Sequence, residues 1–159
     1  MAVDRAGLIG KIRTCLWMNG HGAEAARFYV SLIDGSAIEG DLPEGAEPLL
    51  VNFHLAGVPY MILNGGPHYT LSPAASIMVS TKDQAETDRL WDALIADGGK
   101  EGRCAWCVDR FGVSWQVIPA ALPRTVGGSD AEGAKRATAA MMQMGKIDIA
   151  TLEAAYRGD

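Results

Sequence analysis

Apolar and polar residues alternate strictly along two stretches of the chain. Val113, Trp115 and Val117 alternate with Ser114, Gln116 and Ile118, the period of two of a half-buried strand, and Gly112 supplies the turn before it. The second stretch, Gly57-Val58-Pro59-Tyr60-Met61-Ile62-Leu63, matches Gly112 to Ile118 position for position in residue class. Elsewhere the spacing changes to three and four. Ala25, Phe28, Tyr29, Leu32 and Ile33 predict a helix over roughly 23–33. Leu90, Trp91, Leu94 and Ile95 predict one over about 82–97, capped by Thr81 or Asp83 and stopped by Gly98-Gly99. Residues 12–18 (IRTCLWM) and 76–80 are further strands, and residues 49–55 pair with 58–64 in a hairpin around Ala56-Gly57. Residues 36–48, rich in glycine, proline and acids, give a weak edge strand and a loop, and residues 65–75 a linker.

The helical stripes repeat as the strands do: Ala23-Glu24, Arg27-Phe28-Tyr29 and Leu32-Ile33 answer Ala85-Glu86, Arg89-Leu90-Trp91 and Leu94-Ile95. The chain is therefore expected to be a duplicated βαβββ module of the α+β class. Residues 1–123 hold the pair, at about 8–66 and 75–120. Residues 124–159 form a C-terminal helical extension of the same structural unit. In the extension, Ser129-x-x-Glu132 is a capping box for a helix running to Met144 and closed by Gly145. Asp148 caps a last helix, with Ile147 and Leu152 as its hydrophobic staple.

Strand parity sorts the side chains between two faces. Cys15, Trp17, Tyr60, Ile62, Ile77, Val79, Val113, Trp115 and Val117 are expected to meet the helices. Thr14, Leu16, Met18, Met61, Ser76, Met78, Ser80, Ser114 and Gln116 form the opposite face, joined across the hairpins by Asn52, His54, Cys107 and Asp109. That second face mixes polar and apolar residues, the composition of a ligand cleft.

Composition narrows the partners. The 159 residues are 48% hydrophobic and carry a net charge of −5 with no basic cluster, which disfavours nucleic acid and anionic membrane. Three cysteines do not suit a secreted disulfide framework, and no run resembles a signal peptide or a membrane span. The expectation is a cytoplasmic protein. Cys104-Ala105-Trp106-Cys107 is a CxxC, but on a strand its two cysteines point to opposite sides and lack the helix N-terminus that activates a thiol.

The stretches CLWMNGHGAEAARFYVSLI, NGGPHYTLSPAAS, DQAETDRLWDALI, GRCAWCVDRFGVSWQVIP and MMQMGKIDIATLEAAY resemble the PhnB-like branch of the vicinal oxygen chelate superfamily. That branch often bears the label "3-demethylubiquinone-9 3-methyltransferase", and the superfamily includes glyoxalase I and the extradiol dioxygenases. The resemblance implies glyoxalase-like βαβββ modules making a cupped mixed sheet with helices outside, and a homodimer with a cleft on the concave face. It also implies metal positions at Thr14, Met61, Ser76 and Gln116, where only Gln116 is a plausible ligand.

The expected function is binding of a small organic metabolite, with no cofactor and no resident metal. Asn64, His68, Gln116, His54, Asp109, Ser76 and Thr14 are the candidate contacts. A divalent-metal lyase or dioxygenase built on His54, Asp109 and Gln116 is one alternative. The methyltransferase of the family label is another, although the chain has no strand followed by a glycine-rich turn and helix for a nucleotide-like cofactor.

Overall fold

The structure, a computed structural model, describes residues 11–159. The expected start of the first module near residue 8, and the stretch weighed against a signal peptide, lie outside them. The chain divides between Leu71 and Ser72 into two compact units, each with its own four-stranded sheet.

In unit 1, β1 (Thr14–Met18) leads into α1 (Gly22–Leu32), then β2 (Ala37–Ile38), β3 (Leu50–Leu55) and β4 (Val58–Asn64). The sheet order is β1-β4-β3-β2, with β1 parallel to β4 and the other pairs antiparallel. The β3–β4 turn has positive φ at both Ala56 and Gly57, the backbone of the turn that matches a twisted two-residue hairpin. Unit 2 repeats the plan: β5 (Ser76–Thr81), α2 (Gln84–Ile95), β6 (Lys100–Glu101), β7 (Trp106–Val108) and β8 (Ser114–Pro119), in the order β5-β8-β7-β6. The duplicated βαβββ pattern expected from the sequence is present.

Three helices follow: α3 (Ala121–Val126), α4 (Ala131–Met141) and α5 (Ile149–Arg157). The sequence pattern did not foresee α3, whose Pro123 sits in the first turn, where a missing N–H costs little. The α4 cap is Asp130, bonded to the amide of Glu132, rather than Ser129, and the helix ends at Met141, short of Met144. Asp148 caps α5 through the amide of Thr151, as expected. Ile147 and Leu152 are both fully buried, in a cluster with Ala105, Leu122 and Ala137. The N-terminus of α5 is clasped by Gln84 of α2, which donates to Ile147 O at 3.0 Å and accepts from Ile149 N at 2.8 Å. Lys146 bridges Asp88 and Asp92 on the same helix, and both Asp88 partners, Gln84 and Lys146, hold its carboxyl below its ordinary range.

The register corrects the faces expected for β1, Cys107 and Asp109. Leu16 pairs with Ile62, and Leu16, Met18, Val51, Phe53, Leu55 and Ile62 are all buried. The helix-packed face of β1 is therefore Thr14, Leu16 and Met18, and Cys15 and Trp17 lie opposite. The sequence misleads here because IRTCLWM is apolar at both parities. In unit 2, Cys107 pairs with Trp115, and the amide of Asp109 donates to Val113 O. Both residues share the buried face of Trp115, Val117 and Ile77 rather than the open one. The other assignments in unit 2 hold: Ser76, Met78, Ser80, Ser114 and Gln116 share the face away from α2.

Candidate functional site

On the open face of unit 2, Gln116 Nε2 donates to Ser76 Oγ at 2.8 Å across the β5–β8 pair. Two of the candidate contacts are thus brought together, and Met78, in register with Gln116, is 60% exposed beside them. With its nitrogen on Ser76, the Gln116 amide keeps its carbonyl oxygen as an acceptor.

Asp109 is placed differently. Its Oδ1 accepts from the amides of Phe111 (2.9 Å) and Val113 (3.0 Å), and its Oδ2 accepts from Trp115 Nε1 at 2.8 Å. With Gly112 at φ +86°, this is a side-chain-stapled turn that locks the core tryptophan. Asp109 and Gln116 lie on opposite faces of one sheet and cannot ligate the same ion. The trio His54, Asp109 and Gln116 therefore does not form a metal site. Among the described residues, no group of three or more His, Cys, Asp or Glu side chains is arranged to hold a metal. The resemblance-implied positions Thr14, Met61, Ser76 and Gln116 do not fit one either, because Met61 and Ser76 are poor ligands and Thr14 sits on the helix side.

Asn64 also has structural partners. Its Oδ1 accepts from Gly22 N at 3.1 Å and its Nδ2 donates to Pro48 O and Glu47. The amide thus stands in for the missing N-cap of α1, whose preceding residue His21 offers no side-chain cap. A Cβ on Gly22 would fall 2.6 Å from both Asn64 and Ile62, so glycine is required there. His68 is exposed in the loop that follows β4. That loop is wrapped on Trp17, whose Nε1 donates to Gly66 O at 2.8 Å and whose ring leaves no room for a Cβ on Gly65. Tyr69 meets the same ring edge-on at 4.8 Å.

His54 lies on the open face of unit 1, near a cluster that the sequence did not announce. Arg13 reaches across β4 to bond Asn52 Oδ1 (3.0 Å), Tyr60 O (3.2 Å) and Glu39 Oε2 (3.2 Å). Its side chain is 11% exposed and that of Glu39 is 9% exposed. Arg13 reads in sequence as the polar start of an apolar strand, and Glu39 as one of several acids in a loop, so only the strand register reveals the pair.

The thiol of Cys107 is pushed up to about 12 by burial and by the neighbouring Asp109 carboxylate. It stays protonated at neutral pH, so Cys107 does not supply a thiolate there.

A family profile described as 3-demethylubiquinone-9 3-methyltransferase matches residues 10–118. The chain belongs to the 3-demethylubiquinone-9 3-methyltransferase family. Its match ends within β8, so α3, α4 and α5 stand outside the family region. A PhnB protein from Bacillus cereus is 29% identical with a TM-score of 0.60, covering 70% of this chain and 100% of its own. A Pseudomonas aeruginosa protein is 25% identical with a TM-score of 0.55, over 69% of this chain and 97% of its own. A protein from S. aureus, 14% identical over 72% of this chain and 96% of its own, shares the fold at a TM-score of 0.51. No curated protein matches the chain. Among the described residues, no helix is long and apolar enough to cross a membrane.

Proposed function

We propose that this family member binds a small organic metabolite on the open sheet face of its modules, without a resident metal. The observation that carries the reading is the Gln116–Ser76 hydrogen bond on the face of unit 2 away from its helices. A fixed amide oxygen and hydroxyl beside an exposed methionine offer the few oriented polar groups on an apolar ground that small-molecule sites use.

A thermal-shift screen of metabolites, divalent metals and S-adenosylmethionine tests it. A ligand at a hundredfold its Kd adds about 2.7 kcal/mol, roughly 5–10 °C for a chain of this size. The expected result is a shift from an organic metabolite without added metal, lost in Gln116→Ala. Shifts only with a divalent metal, or only with S-adenosylmethionine, would replace this reading with a metal enzyme or a methyl transferase.

We propose further that the protein works as a homodimer. Leu49 and Val58 of unit 1 are large apolar side chains 64% and 53% exposed, and neither belongs to the rows assigned to a ligand. A dimer would cover them through an interface above about 2,000 Å², the range of obligate pairs. Light scattering at micromolar concentration is expected to return twice the chain mass; a single chain mass would reject the dimer.

A further inference from the structure

Asn52 and His54 alternate along β3 with the buried Val51, Phe53 and Leu55, so both stand on the face of unit 1 away from α1. β2 pairs Ala37 with His54, and the next residues out bond through Glu39 N to Asn52 O at 2.8 Å. Glu39 therefore borders Asn52 and His54 on that face. Arg13 engages only one oxygen of Glu39, through both Nη1 and Nη2 at 3.2 Å. The other oxygen, Oε1, and the Nδ1 of His54 are buried and have no hydrogen-bond partner among the described residues. Leaving a buried acceptor unpaired is destabilising, and native proteins keep such groups chiefly where something else satisfies them.

The surroundings define what that something is. Arg13 already balances the Glu39 charge, so the site has no call for a cation and suits a neutral donor. With its hydrogen on Nε2, the His54 ring offers Nδ1 as a second acceptor. Apolar rows begin directly beside them. Cys15 and Met61 share the row of Asn52, and Trp17, Leu63 and Leu50 form the next, about 6.8 Å along the strands. Tyr69 stands edge-on to Trp17 at the far end.

We infer that the open face of unit 1 holds a subsite for a neutral hydroxylated aromatic molecule, its hydroxyl donating to Glu39 Oε1 or His54 Nδ1 and its ring lying toward Met61 and Trp17. The inference rests on the small-molecule reading above and adds to it a second location and a ligand chemistry. Because both acceptors are buried, reaching them requires Met61, in register with Asn52 and only partly buried, to change rotamer, a cheap motion for an unbranched side chain.

The test titrates the full chain with p-cresol, and separately with 4-methylanisole, which keeps the ring and lacks the donor. Binding is followed by the backbone amides and the Trp17 indole N–H in nitrogen-15 spectra. The expected result is a saturable p-cresol response at Asn52, His54, Met61 and Trp17, with 4-methylanisole at least tenfold weaker. Glu39→Gln, which keeps an oxygen for Arg13 and turns the orphan acceptor into a donor, is expected to weaken p-cresol at least tenfold. His54→Leu carries the same test should Glu39→Gln fail to fold. Equal affinity for the two probes, or full affinity in both folded variants, Glu39→Gln and His54→Leu, overturns the inference. A response confined to Ser76 and Gln116 overturns it too, while leaving the small-molecule reading standing. No response on either face also overturns it, and the metabolite screen then decides the broader reading on its own.

Discussion

Trp115→Ala is expected to lower the unfolding free energy by roughly 3–5 kcal/mol, the usual cost of truncating a large buried aromatic. The indole is 1% exposed, shares its face with Ile77, Val117 and Cys107, and donates to Asp109 at 2.8 Å. The neighbouring change, Gln116→Ala, is expected to cost less than about 1 kcal/mol, because that side chain lies on the open face and loses one part-exposed hydrogen bond. Denaturant melts of the two variants check both numbers. Equal losses would mean that the two faces of the unit 2 sheet are assigned the wrong way round.

Asp109→Ala is the second large effect. The carboxylate is 3% exposed and accepts from Phe111 N, Val113 N and Trp115 Nε1. Its removal strands these donors, at about 1–3 kcal/mol for each that stays buried, so a total loss of roughly 3 kcal/mol or more is expected. The double variant with Trp115→Phe, which keeps the ring bulk and drops the indole donor, is expected to lose less than the sum by about 0.5–3 kcal/mol. A single-variant loss below about 1 kcal/mol in the same melts, or strict additivity, would show that the turn is held by its backbone alone.

These two residues also show where the sequence was legible. The alternation Val113-Ser114-Trp115-Gln116-Val117 sets Trp115 and Gln116 on opposite faces because one parity is wholly apolar, and the structure agrees. β1 has no such contrast. With Leu16, Trp17 and Met18 adjacent, either parity buries an apolar row, and only pairing with β4 decides between them. Asp109 departs from its expected face for a different reason: counting parity across a hairpin assumes that its turn is short and regular, whereas this one is closed by the aspartate itself.

The candidate contacts divided along the same line. Ser76 and Gln116 are strand residues whose pairing follows from the repeat. Asn64 is a polar side chain at an element end, the kind that ends up serving backbone amides. Arg13 and Glu39 lie 26 residues apart, and nothing in either local sequence announces the other.

The Asn64 amide that receives the first amide of α1 has a consequence for how unit 1 breathes. The cap of this helix is carried by a strand residue 42 positions away, and Gly22 leaves no slack between them. Fraying at the end of β4 therefore withdraws the acceptor from the first turn of α1, and unwinding that turn releases the strand end in return. The two do not open as separate local fluctuations, one at a strand tip and one at a helix tip; they share a single opening free energy and exchange their amide hydrogens as one cooperative patch.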